Sequence, residues 1–192
     1  MRPLVLASSS VYRRELLQRL QLPFPSCSPN IDARPLADET PQMLVPRLAV
    51  AKARALRAQF LQHLIIGSDQ VAVLDGQILG KPRTAAAAIA QLTAASGRSV
   101  TFYTGLCLLD SASGTIQVDC VPFTVHFRTL SPEQVRRYIE REQPLDCAGS
   151  FKSEGLGISL FRATEGEEAT SLIGLPLIRL CDMLSQAGII IP

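Results

Sequence analysis

The chain has 192 residues, 47% apolar and 19% charged, with a formal net charge of +2. That length fits one domain, or one domain with two lobes, around a sizeable core. The balance excludes a disordered chain and a basic nucleic-acid surface, which leaves a small ligand as the expected partner.

Residues 3–7 are apolar and short, as in a first strand entering a sheet. Ser8, Ser9 and Ser10 then precede Tyr12, Arg13 and Arg14, and Leu16, Leu17 and Leu20 give a helix one apolar face. Strand, serine turn and helix form an anion-binding arrangement, because free N–H groups and the helix dipole attract phosphate. Ser8 or Ser9 can donate there and Arg13 supplies charge. A plain serine cap beside two solvated arginines fits the same residues. Residues 22–40 read as a loop with a short extended piece near 27–31, carrying Asp32, Asp38 and Glu39 as solvated acids or cation ligands.

Thr40 and Pro41 open a helix expected to reach about Phe60, with a kink or a late start at Pro46. Lys52 falls inside its apolar stripe, four residues from both Leu48 and Leu56. Either the stem snorkels to water or the ammonium meets a buried anion.

Residues 64–66 look like a strand buried on both faces that stops at Gly67-Ser68-Asp69. An acid at such a place must pair, bind a cation or face a cleft. Residues 71–74 and 77–79 are two further strands joined by a two-residue turn at Asp75-Gly76. Lys81 lies between Gly80 and Pro82, in extended chain. Carboxylate and ammonium in one unit suit a metal-bound polyphosphate. An ordinary hairpin, with Asp69 capping the turn and Lys81 in solvent, accounts for them as well.

Thr84 caps an alanine-rich helix closed by Ser96-Gly97, and residues 99–109 and 115–127 form a long antiparallel pair in which His126 packs or faces solvent. Ser131 and Pro132 start a helix to about Glu140. Residues 147–158 set glycines at 149, 155 and 157 around Lys152 and Glu154, suiting either a binding loop or a turn between strands. Residues 160–170 read as a strand end and an acidic loop, and residues 171–176 introduce a last helix to about Gln186.

The five cysteines, at 27, 107, 120, 147 and 181, include no CxxC pair and read as reduced core thiols of a cytoplasmic protein. No apolar stretch suits a signal peptide or a membrane span.

Ser8, Ser9, Arg13, Lys52, Asp69, Lys81 and Lys152 sum to a cationic pocket with an acid in it. Here the sequence resembles the Maf nucleotide pyrophosphatases, through LASSSVYRRELL, AVAKARAL, IIGSDQVAVLDGQILGKP, TFYTG, CAGSFKSEGLGISLF and LIGLPL. It is most similar to the branch that hydrolyses 7-methyl-GTP, whose specificity positions match Tyr12, Gln70 and Glu154.

The resemblance implies one Maf-like domain over residues 1–192, an α/β fold with a mixed twisted sheet, surrounding helices and two lobes flanking a substrate cleft. It implies hydrolysis of a nucleoside triphosphate to its monophosphate and diphosphate with Mg²⁺ or Mn²⁺. Asp69 is then the proton acceptor or the metal ligand, and Ser8, Ser9, Arg13, Lys52, Lys81 and Lys152 hold phosphates. Methylation at N7 makes guanine cationic, so Tyr12 can face it, Glu154 can pair with it, and Gln70 can donate and accept. Many members carry glutamate where this chain has Ala33, with Asp32 or Glu39 available to substitute as a cation ligand. The alternatives are a dTTP and UTP pyrophosphatase, or a nucleotide-binding division regulator, since the family is also associated with septum inhibition. A homodimer is compatible with all three.

Overall fold

The computed structural model describes residues 1–192. Its first strand, β1 (Leu4–Ala7), is buried along its whole length and pairs in parallel with β2 (Ser26–Cys27) and with β3 (Leu64–Leu74). The unbroken apolar run follows from the pleat. Leu4, Leu6, Leu64 and Ile66 pack into one core cluster, while Val5, Ala7 and Ile65 pack into another.

Seven strands make one mixed sheet in the order β2-β1-β3-β5-β6-β7, with β4 (Gln77–Leu79) paired antiparallel to β3. The strands β5 (Ser99–Asp110) and β6 (Ile116–Phe127) close as a hairpin, with the Asp110 amide donating to the Thr115 carbonyl at 2.9 Å. β7 (Phe161–Gly166) is the outer strand and pairs antiparallel with β6. Six helices complete the expected α/β class: α1 (Val11–Gln18), α2 (Pro41–Ala55), α3 (Ala85–Ala95), α4 (Pro132–Glu142), α5 (Thr170–Ile173) and α6 (Leu177–Gln186). Ser10, Thr40, Thr84 and Ser131 cap the first four by accepting an N–H three residues on, and Gln134 completes a capping box with Ser131.

The chain forms two compact units. The first comprises Met1–Gln70, Thr104–Val121 and Glu168–Pro192. Leu16 and Leu17 of α1 and Leu180 and Leu184 of α6 cover one face of its strands, and Ala49 and Ala53 of α2 cover the other. Two glycines let α2 lie close. A Cβ on Gly67 would sit 2.1 Å from the Ala49 carbonyl oxygen, and one on Gly105 would sit 2.1 Å from that of Val45. The second unit comprises Val71–Tyr103 and Pro122–Glu167. Its core includes edge-to-face contacts of Phe151 with Phe102, Phe127 and Phe161, at centroid separations of 5.1 to 5.4 Å.

Several expectations are corrected. β3 does not stop at Gly67-Ser68-Asp69 but runs 11 residues through them. The strand tolerates these polar groups because each has a partner: the Ser68 hydroxyl lies 2.8 Å from the Gly105 carbonyl and 3.2 Å from that of Gly174, and Asp69 pairs with Lys52. α2 starts at its cap, runs through Pro46 and ends at Ala55 rather than Phe60. The last helix is preceded by the separate turn α5. His126 keeps the sheet-facing place expected of it, with its ring nitrogens 2.6 Å from Ser99 Oγ on β5 and 3.0 Å from Glu165 Oε1 on β7. All five cysteines are free thiols, but only Cys107 is buried, and burial pushes its thiol up to about 12. No helix is long and apolar enough to cross a membrane.

Candidate active site

In the first unit, close approach of α2 to the sheet decides where Lys52 goes. Its ammonium donates to the Ser68 carbonyl at 3.2 Å and forms an ion pair with Asp69 Oδ1. The two side chains are 17% and 16% exposed, enough to be reached and too little to be solvated as surface groups. Of the two sequence readings for Lys52, the buried anion is therefore the one realised. The alternative of Asp69 as a simple turn cap gives way to this pair.

Arg13 belongs to the same group. Its Nε donates to the Gly174 carbonyl at 2.6 Å, the carbonyl that Ser68 also contacts. That bond uses one of five guanidinium donors. Burial pushes the Arg13 guanidinium down from its ordinary range while the Asp69 carboxylate holds it up. Ser8 is buried and accepts the Ser10 amide at 3.0 Å, so its own hydroxyl proton remains a donor, whereas Ser9 is exposed. Ser10, rather than Ser8 or Ser9, caps α1. Tyr12 is half-buried on the first turn of that helix.

Gln70 departs from its expected role. Its Nε2 lies 2.8 Å from the Ser171 carbonyl, 3.0 Å from that of Leu172 and 3.1 Å from Thr104 Oγ1. Carbonyls only accept, so the amide nitrogen must face them, and its donors are taken up inside the unit. Only the carbonyl end of Gln70 is left to contact a base.

Sequence reasoning missed the segment behind these contacts. Glu168 is buried, and its carboxylate accepts the Ile178 and Arg179 amides at 3.0 and 2.9 Å, while Thr170 Oγ1 accepts that of Leu177 at 3.1 Å. Together they cap α6 from a distance and fix the turn whose Ser171, Leu172 and Gly174 carbonyls receive Gln70 and Arg13. The sequence shows only a run of acids, Glu165, Glu167 and Glu168, ahead of the last helix, and a cap ten residues upstream has no local spacing to reveal it. Glu168→Ala is expected to cost about 2 kcal/mol in urea unfolding, with Glu168→Gln retaining part of that.

Two of the loop acids are engaged by arginines. Asp32 pairs with Arg34 at 2.6 Å, and Glu39 accepts from Arg47 at 2.5 and 2.8 Å, which holds its carboxyl down at about 2. Ala33 beside them is exposed. No group of three or more His, Cys, Asp or Glu side chains suited to a metal comes together. The donor set around Asp69, one carboxylate, fits a hard cation that arrives with phosphate oxygens as its remaining ligands.

The second unit carries the other candidates. Lys81 is exposed in the irregular stretch between β4 and α3, whose flanks are held by Gln91 Nε2 on the Gly80 carbonyl at 3.0 Å and by the Arg83 amide on the Leu145 carbonyl at 2.9 Å. Lys152 and Glu154 share one loop between two 3₁₀ turns, Lys152 half-buried and Glu154 exposed.

The family model for Maf-like protein matches residues 3–187. The 7-methyl-GTP pyrophosphatase of Pseudomonas aeruginosa is 67% identical over 98% of both chains, and that of Pseudomonas savastanoi pv. phaseolicola 66% identical over 98% of both. The protein of the same name from Pseudomonas putida is 64% identical over the full length of both. Among solved structures, the Staphylococcus aureus Ham1 protein aligns with 67% of this chain and 73% of its own at 14% identity and a TM-score of 0.47.

Proposed function

The chain belongs to the Maf family, and on that premise we propose that it hydrolyses 7-methyl-GTP to 7-methyl-GMP and diphosphate, removing a modified nucleotide from the pool. The observation that carries the chemistry is the part-buried Lys52–Asp69 pair with Arg13 beside it, an acid among phosphate-binding cations. A protein that only bound nucleotide would have little use for that acid. The substrate is the one named for relatives 62 to 67% identical to this chain.

The chemistry a bound Mg²⁺ or Mn²⁺ supplies is neutralisation of phosphate charge and a lowered pKa for bound water. Asp69 would hold that cation, or would accept the proton of the water that attacks the α-phosphorus. Lys52 passes from Asp69 to phosphate oxygens when substrate enters. With Ser8 and Arg13 it offsets the charge developing on the departing diphosphate. Ser9, Lys81 and Lys152 add phosphate contacts from more exposed positions. Tyr12 and Glu154 read the cationic N7-methylated ring, and the carbonyl end of Gln70 accepts from it.

The test is diphosphate release by the purified protein with Mg²⁺ or Mn²⁺ across 7-methyl-GTP, GTP, dTTP and UTP. Preferential turnover of 7-methyl-GTP is expected. Preference for dTTP and UTP would replace the substrate assignment, and binding of 7-methyl-GTP without diphosphate release would replace the enzyme with a regulator.

A further inference from the structure

The loop that carries Glu154 is fastened to one face of α4. Tyr138 is buried, and its hydroxyl oxygen accepts the Lys152 amide at 2.9 Å. One turn further along, Glu142 Oε1 accepts the Leu156 amide at 3.2 Å. Positions i and i+4 of a helix share a face, so one surface of α4 grips both ends of the arc 152–156. The arc is tight. The Gly155 amide donates to the Lys152 carbonyl at 3.3 Å, and a Cβ on Gly157 would sit 2.2 Å from that same carbonyl oxygen. A Cβ on Gly155 would lie 2.0 Å from Glu142 Oε1, so the glycine is what lets the carboxylate reach. Just before the arc, Phe151 is anchored among Phe102, Phe127 and Phe161.

Residues 154–156 of this arc are exposed. Glu154 is exposed, with the Ser153 hydroxyl 3.4 Å from its Oε2. Its backbone position is set by contacts that no substrate makes. We propose that Tyr138 and Glu142 are positioning residues that hold Glu154 in place and thereby set the discrimination between N7-methylated and unmethylated guanosine triphosphate. This rests on the reading of Glu154 as the group that pairs with the methylated base.

The experiment compares kcat and KM for 7-methyl-GTP and GTP in the full-length wild type, Glu142→Ala, Glu142→Gln and Tyr138→Phe, with hydrogen exchange at the Lys152 and Leu156 amides. Glu142→Ala is expected to lower the 7-methyl-GTP:GTP ratio of kcat/KM about tenfold or more, chiefly through KM for 7-methyl-GTP, since small misplacements carry large kinetic penalties. Its Leu156 amide exchanges faster. Glu142→Gln keeps an acceptor oxygen and restores the ratio to within about twofold of wild type. Tyr138→Phe keeps the buried ring, loses the acceptor, and shifts the ratio the same way. A selective wild type whose ratio is unmoved in Glu142→Ala and Tyr138→Phe overturns the positioning role alone, as does equal loss on both substrates. A wild type that turns over neither nucleotide overturns the underlying reading and the specificity role with it, even where the Leu156 amide still exchanges faster in Glu142→Ala.

Discussion

Asp69→Asn is expected to lower turnover of 7-methyl-GTP by about 10³-fold, within the range that removal of a general base or an equivalent charge produces. The substitution is nearly isosteric. Asparagine still offers Lys52 an acceptor oxygen, so the contact between α2 and β3 persists and the fold should be unchanged by circular dichroism. What disappears is a group able to take a proton or to bring full negative charge to a cation. Those two roles separate in a Mg²⁺ titration. If the residual activity half-saturates at the wild-type Mg²⁺ concentration, Asp69 acts on the proton. If half-saturation moves to higher Mg²⁺, it acts through the cation, because a neutral amide is a poorer ligand for a hard ion. Activity within about tenfold of wild type would remove Asp69 from the chemistry altogether.

The parts of the molecule legible in the sequence are those written locally. Thr40, Thr84 and Ser131 announce helix starts because each cap bonds to an amide three residues away. Asp75-Gly76 announces its hairpin because both residues sit at positive φ, 50° and 78°, as the turn requires. Lys52 was conspicuous because its place in an apolar stripe has few physical solutions. Contacts set by tertiary neighbours were not legible. Ser68 and Asp69 after Gly67 look like a strand end until Gly105, Gly174 and Lys52 arrive to satisfy them, after which β3 simply continues. The early end of α2 was not legible either: residues beyond Ala55 have helical propensity, yet the Leu56 and Arg57 amides donate to carbonyls only three residues back, those of Ala53 and Arg54, and the helix closes in a tighter turn. Gln70 shows the same limit in the site. Its chemistry suggested two-way contact with a base, and only the fold reveals that carbonyls from a segment a hundred residues away have claimed its donors.

Lys52→Met carries the second large effect, and it tests the pair rather than the acid. Methionine preserves much of the stem, so packing of α2 on β3 is retained while the ammonium is lost. Turnover is expected to fall about 10²- to 10³-fold, as for other preorganised charge-stabilising donors. Stability should fall too, by about 1 to 3 kcal/mol, because Asp69 is left as a part-buried carboxylate without its partner. Combining Lys52→Met with Asp69→Asn then gives two distinct couplings. In urea unfolding, the double variant should be more stable than the sum of single losses predicts, since no charge remains stranded. In kinetics, it should be scarcely slower than the worse single variant, since groups acting as a unit are not additive. Additive behaviour in both measurements would mean that Lys52 and Asp69 are neighbours without shared work, and the assignment of this pair as the reacting centre would fail.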